Sequence, residues 1–158
     1  KSNNEEIPSK DIENNLIEIA FSHHSKGNLI EAAKSYQNYL DHGFFNQKVF
    51  TNYALICANN GNIEKAIFLF RQSISIFPEN SISYSNLGIL LKETGKLKEA
   101  FIQLKKAIQI NPTKASGYYN RGFSKESLGD IRGACSDWKK ANKLGMNLAK
   151  KSIDIKCK

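Results

Sequence analysis

Asparagine recurs at an interval of 34 residues in this chain, at Asn52, Asn86 and Asn120. An apolar side chain follows three residues later, and the same place is apolar one interval earlier: Phe21, Leu55, Ile89 and Phe123. An amide carries a donor and an acceptor, so it can bind a peptide backbone group through two hydrogen bonds whatever the peptide's sequence. These residues, with Tyr119 beside the last Asn, predict a site for an extended peptide with some apolar side chains.

Residue spacings typical of enzymes do not occur. The chain contains no Gly-rich phosphate-binding loop, no cysteine pair at metal-ligand spacing and no G-x-S-x-G motif. His23 and His24 are adjacent, so on a helix they point about 100° apart and make a poor metal pair. We therefore predict a non-catalytic protein without cofactor or metal, whose partner is a protein or peptide and not a small-molecule substrate.

The net charge of +8 is unevenly distributed. Residues 1–80 carry a net charge of −2, whereas residues 81–158 contain 16 basic and 6 acidic residues, a net charge of +10. Such asymmetry can mark a surface for nucleic acid or an anionic membrane. A solvated outer helix face explains it more simply, so nucleic-acid binding is disfavoured. No apolar run reaches the roughly 18 residues of a membrane span.

Four segments of equal length must position the candidate site: residues 13–46, 47–80, 81–114 and 115–148. Each has two stretches of helical periodicity joined at a glycine. The sequence therefore predicts stacked helix–turn–helix repeats. Residues 1–12 are predicted to be a lead-in and residues 149–158 a C-terminal capping helix. Its apolar side is assigned to Leu148, Ile153, Ile155 and Cys157.

Particular side chains within the repeats have predicted structural roles. Asn28 (with Glu31 completing a capping box), Asn46 and Asp130 are predicted helix N-caps. Trp138 is predicted to lie in the core. Lys125 falls at an apolar position, so either its stem reaches to solvent or the pattern slips there.

The third segment resembles the tetratricopeptide repeat, a helix–turn–helix unit of 34 residues. The resemblance is carried by Tyr84, Leu87, Gly88, Leu91, Gly95, Ala100, Leu104, Ala107 and Pro112. It implies an all-α fold, a right-handed superhelical α-solenoid whose first helices line a concave groove. The candidate residues above would then face that groove, in a scaffold for protein–protein interaction. The first segment departs most, with Tyr39 and Phe44 in place of Ala and Pro.

Two alternatives to a peptide-binding groove stay open. The protein could support a larger assembly through its convex face or tail, or bind an anionic surface through its basic half. Because the family favours Asn at this place generally, the Asn column alone does not decide. A clamp for chaperone C-terminal carboxylates is excluded, since positions that would need Lys or Arg hold Ile82 and Ser116.

The end of the chain, GACSDWKKANKLG followed by IKC, resembles the closing repeat of some bacterial repeat proteins. In those proteins a Cys early in the second helix is followed by a Cys at the chain end. The resemblance implies a disulfide between Cys135 and Cys157 and an exported, oxidising location. Two reduced thiols and a cytoplasmic location are the alternative. Cys57 is unpaired in both cases and is predicted to be a small buried apolar residue.

Overall fold

The structure, a computed structural model, describes residues 10–158. Within that range the chain is built from α-helices and contains no strand, which confirms the predicted all-α class. The helices are α1 (Lys10–Ser25), α2 (Leu29–Asp41), α3 (Gln47–Asn59), α4 (Ile63–Ile76), α5 (Ser81–Glu93), α6 (Leu97–Ile110), α7 (Ala115–Ser127), α8 (Ile131–Lys143) and α9 (Leu148–Lys156). None of these helices is both long enough and apolar enough to cross a membrane.

Helices α3, α5 and α7 begin at the residues where the second, third and fourth repeats begin in our division of the sequence. The predicted lead-in, residues 1–12, is too long at its end, because Lys10–Ile12 belong to α1. Its first turn contains Asp11 and Glu13, and the helix dipole favours carboxylates there. Residues 1–9 of the lead-in lie outside the described residues.

Glycines in a left-handed conformation end the first helix of each pair. Gly61 and Gly95 have φ of 80° and 78°, and the residue after each donates a backbone hydrogen bond into the last helical turn. These bonds join Asn62 N to Cys57 O at 2.9 Å and Lys96 N to Leu91 O at 2.8 Å. A bond of this pattern stops a helix and lets the chain turn back, and only glycine adopts the required φ without steric cost.

The chain divides within α4 into two compact units, the first ending at Leu69 and the second comprising Phe70–Lys158. In the first unit α2 packs between α1 and α3. Tyr36, Tyr39 and Phe50 are buried there, and Tyr39 Oη donates to Glu13 Oε1 over 2.8 Å. Cys57 is a free and buried cysteine, as predicted.

The second unit packs consecutive helices from α5 to α9 against one another. Small residues allow the close approach: a Cβ on Gly88 of α5 would lie 2.6 Å from Leu104 Cγ of α6. Gly122 of α7 has the same relation to Trp138 of α8. Leu104 and Trp138 are fully buried, so the core role predicted for Trp138 is confirmed.

Helix capping follows the sequence in part. Asn46 Oδ1 accepts from Lys48 N at 2.9 Å, and Asp130 Oδ1 accepts from Gly133 N at 2.8 Å, as predicted. The prediction for Asn28 is wrong, because its side chain makes no capping hydrogen bond. Glu31, expected to complete that capping box, pairs with Lys34 instead.

Candidate functional site

A cleft of about 410 Å³ lies in the second unit where the start of α5 faces the start of α7. We call it the α5 cleft. Its lining includes Ile82, Ser85, Asn86, Ile89, Asn111 and Lys114. Asn86 and Ile89 were both predicted as site residues, and the structure brings them together on one wall. The cleft therefore pairs an amide and an apolar side chain at one helical turn's spacing.

The predicted asparagines of this unit differ in their hydrogen bonds. Asn120 Nδ2 donates to Ser116 O over 2.9 Å, and its Oδ1 accepts from Lys92 Nζ over 3.4 Å. Asn86 makes no side-chain hydrogen bond with any described residue. The amide of Asn86 thus retains its donors and its acceptor for a ligand, whereas that of Asn120 is used within the protein.

The two predicted aromatic residues of α7 belong to one packed group. The Phe123 ring meets Tyr119 edge-on at a centroid distance of 5.0 Å and Trp138 at 5.1 Å. Lys92 Nζ stands 5.5 Å from the centroid of the same ring. Trp138 Nε1 donates to Tyr119 O over 3.3 Å. These contacts hold Phe123 in one orientation beside a cation.

Tyr119 and Phe123 line a second, larger cleft of about 700 Å³. We call it the α9 cleft, because α9 forms its other wall with Leu148, Lys151 and Ile155. The sequence analysis did not place α9 in the site. The signal was present as the seven-residue spacing of Leu148 and Ile155, which puts two apolar side chains on one face of a helix.

The assignment of the apolar side of α9 therefore needs correction. Ala149 is fully buried, and Ile153 and Cys157 pack against the core formed with α8. Leu148 and Ile155 are 70 % and 59 % exposed. Alternate positions share a face in a strand, but in a helix residues four apart do, so Ile155 points away from Ile153 and Cys157.

In the first unit the predicted site residues surround Tyr36. The Phe21 ring meets Tyr36 edge-on at 5.9 Å, and Asn52 Nδ2 donates to Tyr36 Oη over 3.1 Å. Tyr36 Oη is also 2.9 Å from His24 Nδ1. Burial raises the pKa of Tyr36, so the hydroxyl stays protonated over the physiological range. Leu55 is 39 % exposed and remains available for contact.

An ion cluster explains the lysine found at an apolar position. Asp137 Oδ2 accepts from Arg121 Nε at 2.8 Å and from Lys125 Nζ at 3.0 Å, while Asp137 Oδ1 accepts from Arg121 Nη2 at 2.7 Å. Hydrogen bonding to Asp137 raises the pKa of Arg121. The repeat pattern is therefore continuous through Lys125, and sequence reasoning missed Asp137 because its partners lie 12 and 16 residues earlier.

The structure joins Cys135 of α8 and Cys157 by a disulfide with a Cα–Cα distance of 5.6 Å. The bond ties the end of α9 to α8 and so supports one wall of the α9 cleft. Among the residues that the structure describes, no group of three or more His, Cys, Asp or Glu side chains is arranged to hold a metal.

Comparison with known families gives three matches. A family model described as TPR repeat matches residues 90–129, and two described as Tetratricopeptide repeat match residues 69–102 and 47–80. Together the matches extend over residues 47–129, more than half of the chain. A comparison with curated proteins found no match.

Solved structures with the same fold include a crystal structure of MamA protein, with a TM-score of 0.84 and 20 % identity, covering 93 % of this chain and 81 % of that one. MamA from Desulfovibrio magneticus RS-1 has a TM-score of 0.78 and 18 % identity, covering 87 % and 78 %. YrrB, described as a TPR protein with an unusual peptide-binding site, has a TM-score of 0.76 and 18 % identity, covering 85 % and 71 %. At these identities the likeness shows the fold.

Proposed function

Since the chain belongs to the tetratricopeptide repeat family, whose members are generally non-catalytic scaffolds for protein–protein interaction, we propose that it binds an extended peptide segment along the exposed face of its first helices. The α5 cleft is the centre of this proposal. Its floor is lined by Ile89, and its wall carries the amide of Asn86.

The observation that carries the proposal is the hydrogen-bonding state of Asn86. Asn52 and Asn120 spend amide groups on contacts within the protein. Asn86 spends none on the described residues and lies in a cleft about 410 Å³ in volume. An amide with a free donor and acceptor can bind both backbone groups of one peptide unit. YrrB, which shares the fold, is described as having a peptide-binding site, and this agrees with the proposal.

The proposal is tested by quantitative pull-down from the source cell with three forms of the protein. The groove variant is Asn86→Ala with Ile89→Ser. Loss of the amide leaves a peptide group unpaired at a cost of about 1–3 kcal/mol, so the yield of the partner should fall in line with an affinity loss of about ten-fold or more. Asn120 is left unchanged because its amide also contacts Lys92 and Ser116.

Two variants serve as controls. Ile102→Ser removes an apolar side chain that is 60 % exposed on α6 and lines neither cleft. Replacement of Lys105, Lys106 and Lys150 by Gln lowers the basic charge without touching either cleft. Both controls should retain the partner. If the groove variant retains it and the charge variant loses it, the peptide-groove proposal is wrong and a basic-surface function takes its place.

A further inference from the structure

Helix α9 carries two separate apolar faces. Ala149, Ile153 and Cys157 are turned towards α8 and close the end of the core. Leu148 and Ile155 are exposed and line the α9 cleft opposite Tyr119 and Phe123. A capping helix needs only the first face, since its outer surface should be polar. The second face therefore calls for a different explanation.

The cleft has the size and surface of a binding site. Its volume of about 700 Å³ falls in the range of about 300–1,000 Å³ that small ligands and side chains occupy in proteins. The walls are mostly apolar, with Met146 at the base of α9 adding a flexible thioether. Such a cavity accommodates one or two large apolar side chains of a bound segment.

The charge around the cleft has one sign. Its lining includes Lys151 and Lys156 and no carboxylate, and Lys92 adds an ammonium over Phe123. Lys156 is paired with Glu126. Lys92 and Lys151 have no carboxylate partner among the described residues. The complementary ligand therefore brings its own negative charge.

We infer that the α9 cleft binds an acidic peptide segment, inserting a Leu or Phe side chain between α7 and α9 while its carboxylates meet Lys92 and Lys151. The inference rests on the proposed function and names the chemistry of the partner. It places the partner's acidic, apolar part beside the last repeat, next to the amide site at Asn86.

A single-stranded nucleic acid fits the cleft less well. Binding of unpaired bases depends on open aromatic faces for stacking. The Phe123 ring is already in contact with Tyr119, Trp138 and the ammonium of Lys92. The remaining walls are aliphatic, so they suit a hydrophobic side chain better than a base.

The test is fluorescence polarisation with the full chain and a fluorescein-labelled peptide that has a central Leu-Phe pair flanked by Asp and Glu. One control peptide replaces the acidic residues by Lys, and another replaces Leu-Phe by Ser-Ser. The acidic apolar peptide should bind, and each control peptide should bind at least about ten-fold more weakly. Unlabelled single-stranded oligothymidine should not displace it at moderate salt.

Matched variants locate the binding. Leu148→Ser with Ile155→Ser should weaken the peptide at least about ten-fold, while Ile102→Ser on α6 should not. Lys151→Gln should weaken binding several-fold and reduce its dependence on salt. Lys150→Gln removes the same charge from the neighbouring residue, which does not line the cleft, and should change little. Circular dichroism of each variant should show unchanged helicity.

Other results overturn the inference: no binding of the acidic peptide to the wild type, equal binding to the Leu148 and Ile155 variant, equal effects of the two lysine changes, or displacement by the oligonucleotide. The proposed function is judged separately, by loss of the cellular partner from the Asn86 and Ile89 variant. If that variant loses its partner while the peptide experiment fails, the α5 cleft stands and the α9 assignment falls.

Discussion

Replacement of Gly88 by Ala tests the packing on which the repeat depends. A Cβ at this position would stand 2.6 Å from Leu104 Cγ and 3.3 Å from Ala100 O. Leu104 is fully buried, so its side chain cannot simply turn into solvent. Added volume in a packed core of this kind costs about 1–3 kcal/mol.

Helix propensity acts in the opposite direction. Alanine is a better helix former than glycine by about 1 kcal/mol, so Gly88→Ala should lower the free energy of unfolding by about 0–2 kcal/mol, the difference of the two effects. Gly88→Leu introduces more volume and should cost more. Leu104→Ala itself costs about 2–5 kcal/mol but makes room. In that background Gly88→Ala should become stabilising by up to about 1 kcal/mol.

The assay is urea unfolding of all four combinations, followed by the fluorescence of Trp138, the only tryptophan in the sequence. Trp138 is buried in the second unit, so it reports on the unit that contains Gly88. Its signal is compared with circular dichroism to verify a single transition. If Gly88→Ala shifts the free energy of unfolding equally in both backgrounds, contact with Leu104 is not the reason for glycine here.

Three further outcomes are expected. Denatured, non-reduced protein should present one free thiol, that of Cys57, and Cys157→Ser should lower the free energy of unfolding by about 3 kcal/mol, since the disulfide spans 22 residues; three titratable thiols would contradict this. Asp137→Asn should cost about 3 kcal/mol in urea unfolding, because it leaves two mostly buried cations near each other, whereas Glu99→Gln breaks an exposed pair and should cost less than about 1 kcal/mol; similar costs would refute the cluster's role. Burial and a carboxylate neighbour raise the pKa of Tyr39, so its stabilising effect is complete below the ordinary tyrosine value of about 10 and is lost as pH rises towards the folded pKa; Tyr39→Phe should therefore lose less stability than wild type from about pH 9 to 11, and parallel losses would disprove this.

Peptide recognition was predicted from the sequence in its general form only. The 34-residue interval identified Asn86 and Ile89 as neighbours on one wall, and the α5 cleft contains both. It treated Asn120 as equivalent to Asn86. Their difference comes from Lys92, a residue of another helix whose ammonium reaches Asn120 across 3.4 Å. A pattern with one repeat's period does not report which long side chain crosses to its neighbour.

The chain's local rules were enough for the helices and their turns. Glycine at fixed intervals, apolar residues at helical spacing and the small residue at Gly88 depend on backbone geometry and nearest neighbours, which sequence spacing expresses directly. The two faces of α9, the cation cluster around Asp137 and the α9 cleft depend on which helices meet and at what rotation. Those arrangements arise from side-chain packing between segments far apart in sequence, so only the tertiary structure decided them.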